Sequence, residues 1–141
     1  MRTIKFRGKV KYNGQHFFSG EWVEGFYAYK ELTGTHLILV ERAETQRYAS
    51  YFVEVEVDSE TLGQFTGLLD KNGVEIFEGD LIEWSSKDID GSKISQVDKV
   101  MWINDGFVCG KELEPLLKYL AFNSNYENLE VIGNVNEVPH V

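Results

Sequence analysis

Few residues in this chain have the type and spacing that chemistry requires. His16, His36 and His140 stand singly, with no H-E-x-x-H pair and no Cys/His cluster, so the pattern predicts no metal site. Two acidic loops fail the calcium template. Counted from Asp70, Glu75 takes the position that demands glycine; counted from Asp88, Lys93 does so, and Lys99 stands where the bidentate Glu belongs. Cys109 lies in Phe107-Val108-Cys109-Gly110 without an adjacent basic group, which describes an inert thiol rather than a thiolate. A lone cysteine also forms no internal disulfide and fits a reducing compartment. No G-x-S-x-G elbow and no glycine-rich phosphate loop is present. With 23 Asp+Glu in the chain, any two can meet by chance, so the sequence selects no acid–base pair. The expectation is a non-enzyme without a cofactor.

Charge is the more informative signal. The chain totals −9, yet residues 1–11 hold Arg2, Lys5, Arg7, Lys9 and Lys11 and no acid. Ile4, Phe6, Val10 and Tyr12 alternate with these cations, and a period of two describes a strand with one basic face. Such a strip can hold phosphates, or it can lie beside an acidic strand. Val53, Val55 and Val57 alternate with Glu54, Glu56 and Asp58 and supply one. The second arrangement is preferred, because the remainder of the chain is acidic and repels a polyanion. Phe6 and Tyr12 also fall on the core side of the strand, away from the cations, where they cannot stack on bases.

The elements that must position these residues are short strands between Gly/Asn/Asp turns. After Asn13-Gly14, residues 16–18 are expected to continue a hairpin, followed by strands at 20–29, 35–40 and 50–58. Residues 41–47 and 85–96 are polar and are expected to be loops, the second a mobile one. A short helical turn is expected at 58–63, capped by Asp58 or Ser59 and ended by Gly63. Asp70-Lys71-Asn72-Gly73 and Glu78-Gly79-Asp80 mark turns around strands at 74–77 and 81–84. Residues 96–103 and 107–109 flank Asn104-Asp105-Gly106 as a hairpin. Residues 111–119 are ambiguous between helix and strand, 123–125 form a turn, and 129–135 a last strand. No apolar run is long enough to span a membrane, and no signal-peptide core follows Met1.

Thr66-Gly67-Leu68-Leu69-Asp70-Lys71-Asn72-Gly73-Val74-Glu75-Ile76-Phe77-Glu78-Gly79-Asp80-Leu81-Ile82 resembles the central motif of the YopX family. Ile4-Lys5-Phe6-Arg7-Gly8-Lys9, Gly20-Glu21-Trp22-Val23-Glu24-Gly25-Phe26 and Leu129-Glu130-Val131-Ile132-Gly133-Asn134-Val135 resemble its opening, second and closing segments. The resemblance implies a protein encoded in phages and prophages of Gram-positive bacteria, and it brings no catalytic activity and no cofactor. Within the motif, Gly67, Gly73 and Gly79 suit positive-φ turns, and Asp70, Asn72 and Asp80 can bond their own backbone, a structural role. The turn–strand–Glu-Gly-Asp–strand pattern is similar to strand pairs of SH3-like barrels.

The expected architecture is mainly β: an N-terminal antiparallel sheet over 1–58 and a small SH3-like β-barrel over 59–141, with few or short helices. The expected function is that of a phage-encoded accessory protein in the host cytoplasm, binding a protein partner or itself as a homo-oligomer. Two other classes remain open. One is a nucleic-acid-binding module using Arg2, Lys5, Arg7, Lys9 and Lys11. The other is an acidic nucleic-acid mimic that blocks a host protein.

Overall fold

A computed structural model describes residues 3–44, 46–103, 106–109, 114–115 and 127–137. Arg2, His140, Asn104, Asp105, the turn expected at 123–125 and most of 111–119 lie outside the described residues. The chain is mainly β and divides into two compact units, Met1–Gln64 and Phe65–Val141.

The first unit contains strands β1 (Phe6–Lys9), β2 (Trp22–Lys30), β3 (Thr35–Glu44) and β4 (Ala49–Glu56), each antiparallel to the next. Strand β5 (Gly63–Leu69) begins in this unit, where Gly63 and Gln64 pair with Arg7 and Phe6. The sheet curls until its ends meet. Val10 and Val57 form an antiparallel bridge, flanked by the Lys11 N–H donating to the Glu56 carbonyl at 3.0 Å and the Asp58 N–H to the Lys9 carbonyl at 2.9 Å.

Two glycines permit the curl. β2 pairs with β1 through Gly25 and with β3 from Phe26 onward, and a Cβ at Gly25 would collide with the Leu39 carbonyl oxygen. At Gly8 a Cβ would stand 3.0 Å from the Val57 Cβ, so only hydrogen fits comfortably where the sheet closes. Val10, Val23, Ile38, Val55 and Val57 fill the interior, with Phe6, Phe17 and Tyr27 packed against them. Apart from Phe17, these side chains follow one parity along each chain segment, which is how a period of two builds a core.

The second unit contains the rest of β5, then β6 (Glu75–Phe77), β7 (Asp80–Lys87), β8 (Lys93–Lys99), β9 (Met101–Ile103), β10 (Gly106–Cys109), β11 (Glu114–Pro115) and β12 (Glu127–Asn134). β12, β7 and β8 form one antiparallel sheet; β11, β10 and β9 form another; β6 pairs with β5. Ile76, Ile82, Trp84, Val100 and Leu129 form its core. Among the described residues no strand pairing joins these two three-stranded sheets into a closed barrel.

Several sequence expectations need correction. Residues 85–96 are not a loop: β7 and β8 pair as far as Lys87↔Lys93, leaving only a tight turn whose Gly91 has φ +86°. The polar composition misleads because backbone pairing continues through these residues without an apolar alternation, and Ile94 and Val97 lie exposed on the hairpin. Residues 41–44 extend β3, since Glu41, Arg42, Ala43 and Glu44 all find partners on β4. Residues 16–18 form no strand; the Gly14 N–H closes on the Phe17 carbonyl at 2.9 Å and tucks Phe17 onto the core. Tyr12, expected inside, is 63% exposed because the strand ends before it. The helical turn is a single 3-10 turn, Ser59–Thr61, without a side-chain cap from Asp58, and Gly63 starts β5 instead of ending the turn. Residues 96–103 break into two strands at the buried Val100.

Candidate functional site

Contacts of the central motif join its turns to neighbouring strands. Gly73 (φ +80°) closes the turn, and Asp70 fixes it: Oδ1 accepts the N–H groups of Asn72 (2.8 Å) and Val74 (2.9 Å). Asp70 Oδ2 accepts the Val131 N–H at 3.0 Å, which ties the turn to β12. Burial raises the Asp70 pKa, but the N–H bonds from Val131, Val74 and Asn72, with the Lys71 ammonium, outweigh it and hold the carboxyl below its ordinary value. Asn72 Nδ2 donates to Glu130 Oε1, and Lys71 Nζ lies 3.3 Å from the other Glu130 oxygen.

Asp80 is completely buried. Its Oδ2 accepts the Phe77 N–H at 2.8 Å and its Oδ1 the Asn134 Nδ2 at 3.1 Å. Gly79 (φ +90°) turns the chain between β6 and β7, and its N–H donates to the Val100 carbonyl. Gly67 (φ +84°) lies inside β5 at a register shift against β6, rather than at a turn. A third internal carboxylate, Asp98, accepts the Trp84 indole N–H at 2.6 Å and the Gln96 amide at 3.0 Å. Carboxylates that accept bonds at both oxygens inside the fold help to hold it together.

The outer face of the curled sheet in the first unit is different. Register places Arg7 opposite Glu24 and Lys9 opposite Trp22, then Phe26 opposite Leu39, Leu39 opposite Glu54, and Glu41 opposite Phe52. The basic row therefore shares a face with aromatic side chains. The Arg7 guanidinium lies 4.7 Å and the Lys9 ammonium 5.3 Å from the Trp22 ring centre. Lys5 pairs with Glu24 at 3.3 Å, and Lys30 with Glu54 at 3.0 Å. Lys11 leaves the row and sits 5.4 Å from the Tyr12 ring.

The basic strip meets the acidic strand at its far end, through Val10↔Val57, the Lys11–Glu56 and Asp58–Lys9 backbone bonds and the approach of Gly8 to Val57. The paired neighbours of Phe6–Lys9 are β2 and β5, so the side-by-side placement of the basic and acidic strands expected from sequence is met only where the curled sheet closes, from Gly8 to Lys11 against 56–58. Beside the row opens a groove of about 670 Å³, lined by Ile4, Phe26, Leu39 and Phe52 and rimmed by Lys5, Glu24 and Glu41. Phe26 and Phe52 have ring centres 5.9 Å apart and are 56% and 52% exposed; Ile4 is 57% exposed. Exposed rings in contact across β3, from β2 and β4 of one sheet, form a surface suited to contact with another molecule. Sequence reasoning missed Trp22, Phe26 and Phe52 as part of this surface. The signal was present in the parity of Trp22, Glu24 and Phe26 within β2.

His36 accepts or donates a 2.7 Å bond with the Tyr27 hydroxyl and stacks on that ring, while His16 lines a separate 320 Å³ cavity beneath residues 12–17. Among the described residues no three His, Cys, Asp or Glu side chains converge where a metal ion would be held. Nor is any described helix long and apolar enough to cross a membrane.

A family model described as "YopX protein" matches residues 5–141. The fold is similar to the crystal structure of protein EF1440 from Enterococcus faecalis, with TM-score 0.57 and 22% identity over 97% of this chain and 96% of that one. No curated protein matches the chain.

Proposed function

The chain belongs to the YopX family, and from that premise we propose that it is a non-enzymatic protein-binding module, a phage- or prophage-encoded accessory protein that works in the cytoplasm of its bacterial host. One observation carries this: the groove between Phe26 and Phe52, with Ile4 at its side, presents contiguous apolar side chains on the outer face of a rigid sheet. In the second unit the carboxylates of the family motif are bonded inward, which supports a supporting role for that unit. The sharp Gly79 corner between β6 and β7 is in keeping with an SH3-like arrangement there.

The test is a photo-crosslinking amino acid placed at Phe26, with Leu32 as a fully exposed control away from the groove. Adducts with a protein from position 26 and none from position 32 support the proposal. Equal or absent labelling at both positions overturns it.

A second function is favoured by the Trp22 contacts. Single-stranded nucleic acid needs aromatic platforms on the basic face, and Trp22 and Phe26 supply them where Phe6 and Tyr12 do not. Binding to single strands at low salt that disappears in Arg7→Ala/Lys9→Ala supports this function. No binding at low salt removes it.

A further inference from the structure

The outer face of the first unit has a charge layout that selects among protein partners. Lys5, Arg7 and Lys9 lie along the β1 side, whereas Glu41 and Glu54 lie on β3 and β4, with Phe26 and Leu39 between them and the Phe52 ring, from β4, against Phe26. β2 adds one charge of each sign, Glu24 and Lys30, and each is paired to a neighbour on the same face. Among the described residues, the partly buried Glu56 opposite Leu37 brings the face to equal numbers of cations and carboxylates. A surface evolved for a strongly basic or acidic partner would carry an excess of one sign. This one is neutral, segregated and apolar at its centre.

We propose that the occupant of this face is a second copy of the chain, docked about a two-fold axis that passes through the Phe26–Leu39 groove. A half-turn about that axis lays the β1 cations of one copy over the Glu41 and Glu54 side of the other, twice over by symmetry. Phe26 and Phe52 of the two copies meet at the centre. This is the self-complementarity that an isologous interface requires, in which each residue contacts its counterpart's partner and the reverse. The proposal rests on the protein-binding function given above and names its partner.

Sedimentation equilibrium with paired charge reversals tests it. The wild-type chain is expected to dimerise. Arg7→Glu/Lys9→Glu and Glu41→Lys/Glu54→Lys are each expected to weaken that dimer by about 100-fold, since both rims of each homodimer then face like charge. Mixed in equal amounts, the two variants are expected to dimerise again, because every rim now meets its opposite. A circular-dichroism melt verifies the fold of each. Phe26→Asp, at an exposed position that leaves the charged rims intact, serves as an independent variant and is expected to be monomeric.

A monomeric wild-type chain overturns the proposal, as does a dimer indifferent to the reversals and to Phe26→Asp. If the chain is monomeric yet position 26 still crosslinks a foreign protein, the two-fold interface fails and the protein-binding function stands. If position 26 crosslinks nothing, both fail.

Discussion

The two units use acidic residues in opposite ways. Met1–Gln64 contains 8 Lys+Arg and 9 Asp+Glu, a net charge of −1, while Phe65–Val141 contains 6 Lys+Arg and 14 Asp+Glu, a net charge of −8. In the first unit Glu24, Glu41 and Glu54 stand on the outer face, Glu24 and Glu54 each within reach of a lysine. In the second, Asp70, Asp80 and Asp98 are buried and accept N–H bonds that join turn to strand and strand to strand. The chain total of −9 is therefore a poor guide to what a partner meets. Most of the excess lies in the unit where carboxylates also hold the interior together, and the face with exposed aromatics is close to neutral.

That contrast also separates the means of stability. The first unit closes by backbone approach, the second by buried acceptors, and substitutions distinguish them. The largest effect is expected at Gly25, where even a methyl group collides with the Leu39 carbonyl. Gly25→Ala should lose about 4 kcal/mol or fail to fold, read from urea unfolding. A loss below about 1 kcal/mol would show that β2 can switch partners without glycine.

Next comes Asp80→Ala, which leaves the Phe77 N–H and the Asn134 amide buried without their acceptor. A loss of about 3 kcal/mol is expected, together with faster amide exchange at Phe77. An unchanged melt would remove the carboxylate from its central place in the second unit.

Asp70→Asn is expected to cost about 1–2 kcal/mol at neutral pH. Because the folded pKa of Asp70 lies below the ordinary carboxyl value of 3.8, its contribution is fully present above that value and is lost as the pH falls from there through the lower folded pKa. The gap between wild type and Asp70→Asn should therefore close on acidification. A gap that is constant with pH would contradict the bonding pattern. The smallest effect on stability is expected for Phe26→Ser, within about 0.5 kcal/mol, because that ring is exposed.

Legibility in the sequence follows the same division. Turns with a local chemical cause were readable: Asp70-Lys71-Asn72-Gly73 and Glu78-Gly79-Asp80 declare themselves through glycines that take positive φ and an Asp that bonds ahead along the chain. The alternation of Val53, Val55 and Val57 correctly announced a strand facing a core. What stayed hidden depends on distant parts of the chain. The β7–β8 hairpin looked like a loop because backbone pairing stabilises polar residues that no apolar alternation reveals. The curl of the first unit rests on Gly25 meeting Leu39 and Gly8 meeting Val57, contacts that no local window contains. The outer face needed strand register, since Trp22, Phe26 and Phe52 join Arg7 and Lys9 only once β1 to β4 are aligned.

The central claim is that the outer face of the first unit, and not the acidic second unit, is where this protein meets its partner copy. Amide chemical shifts followed from low micromolar to submillimolar protein test it most directly. Shifts confined to Lys5, Arg7, Lys9, Trp22 to Phe26, Leu39 to Glu41 and Phe52 to Glu54 are the predicted result. Shifts clustered on β7 and β8, or spectra unchanged across the whole range, would contradict it.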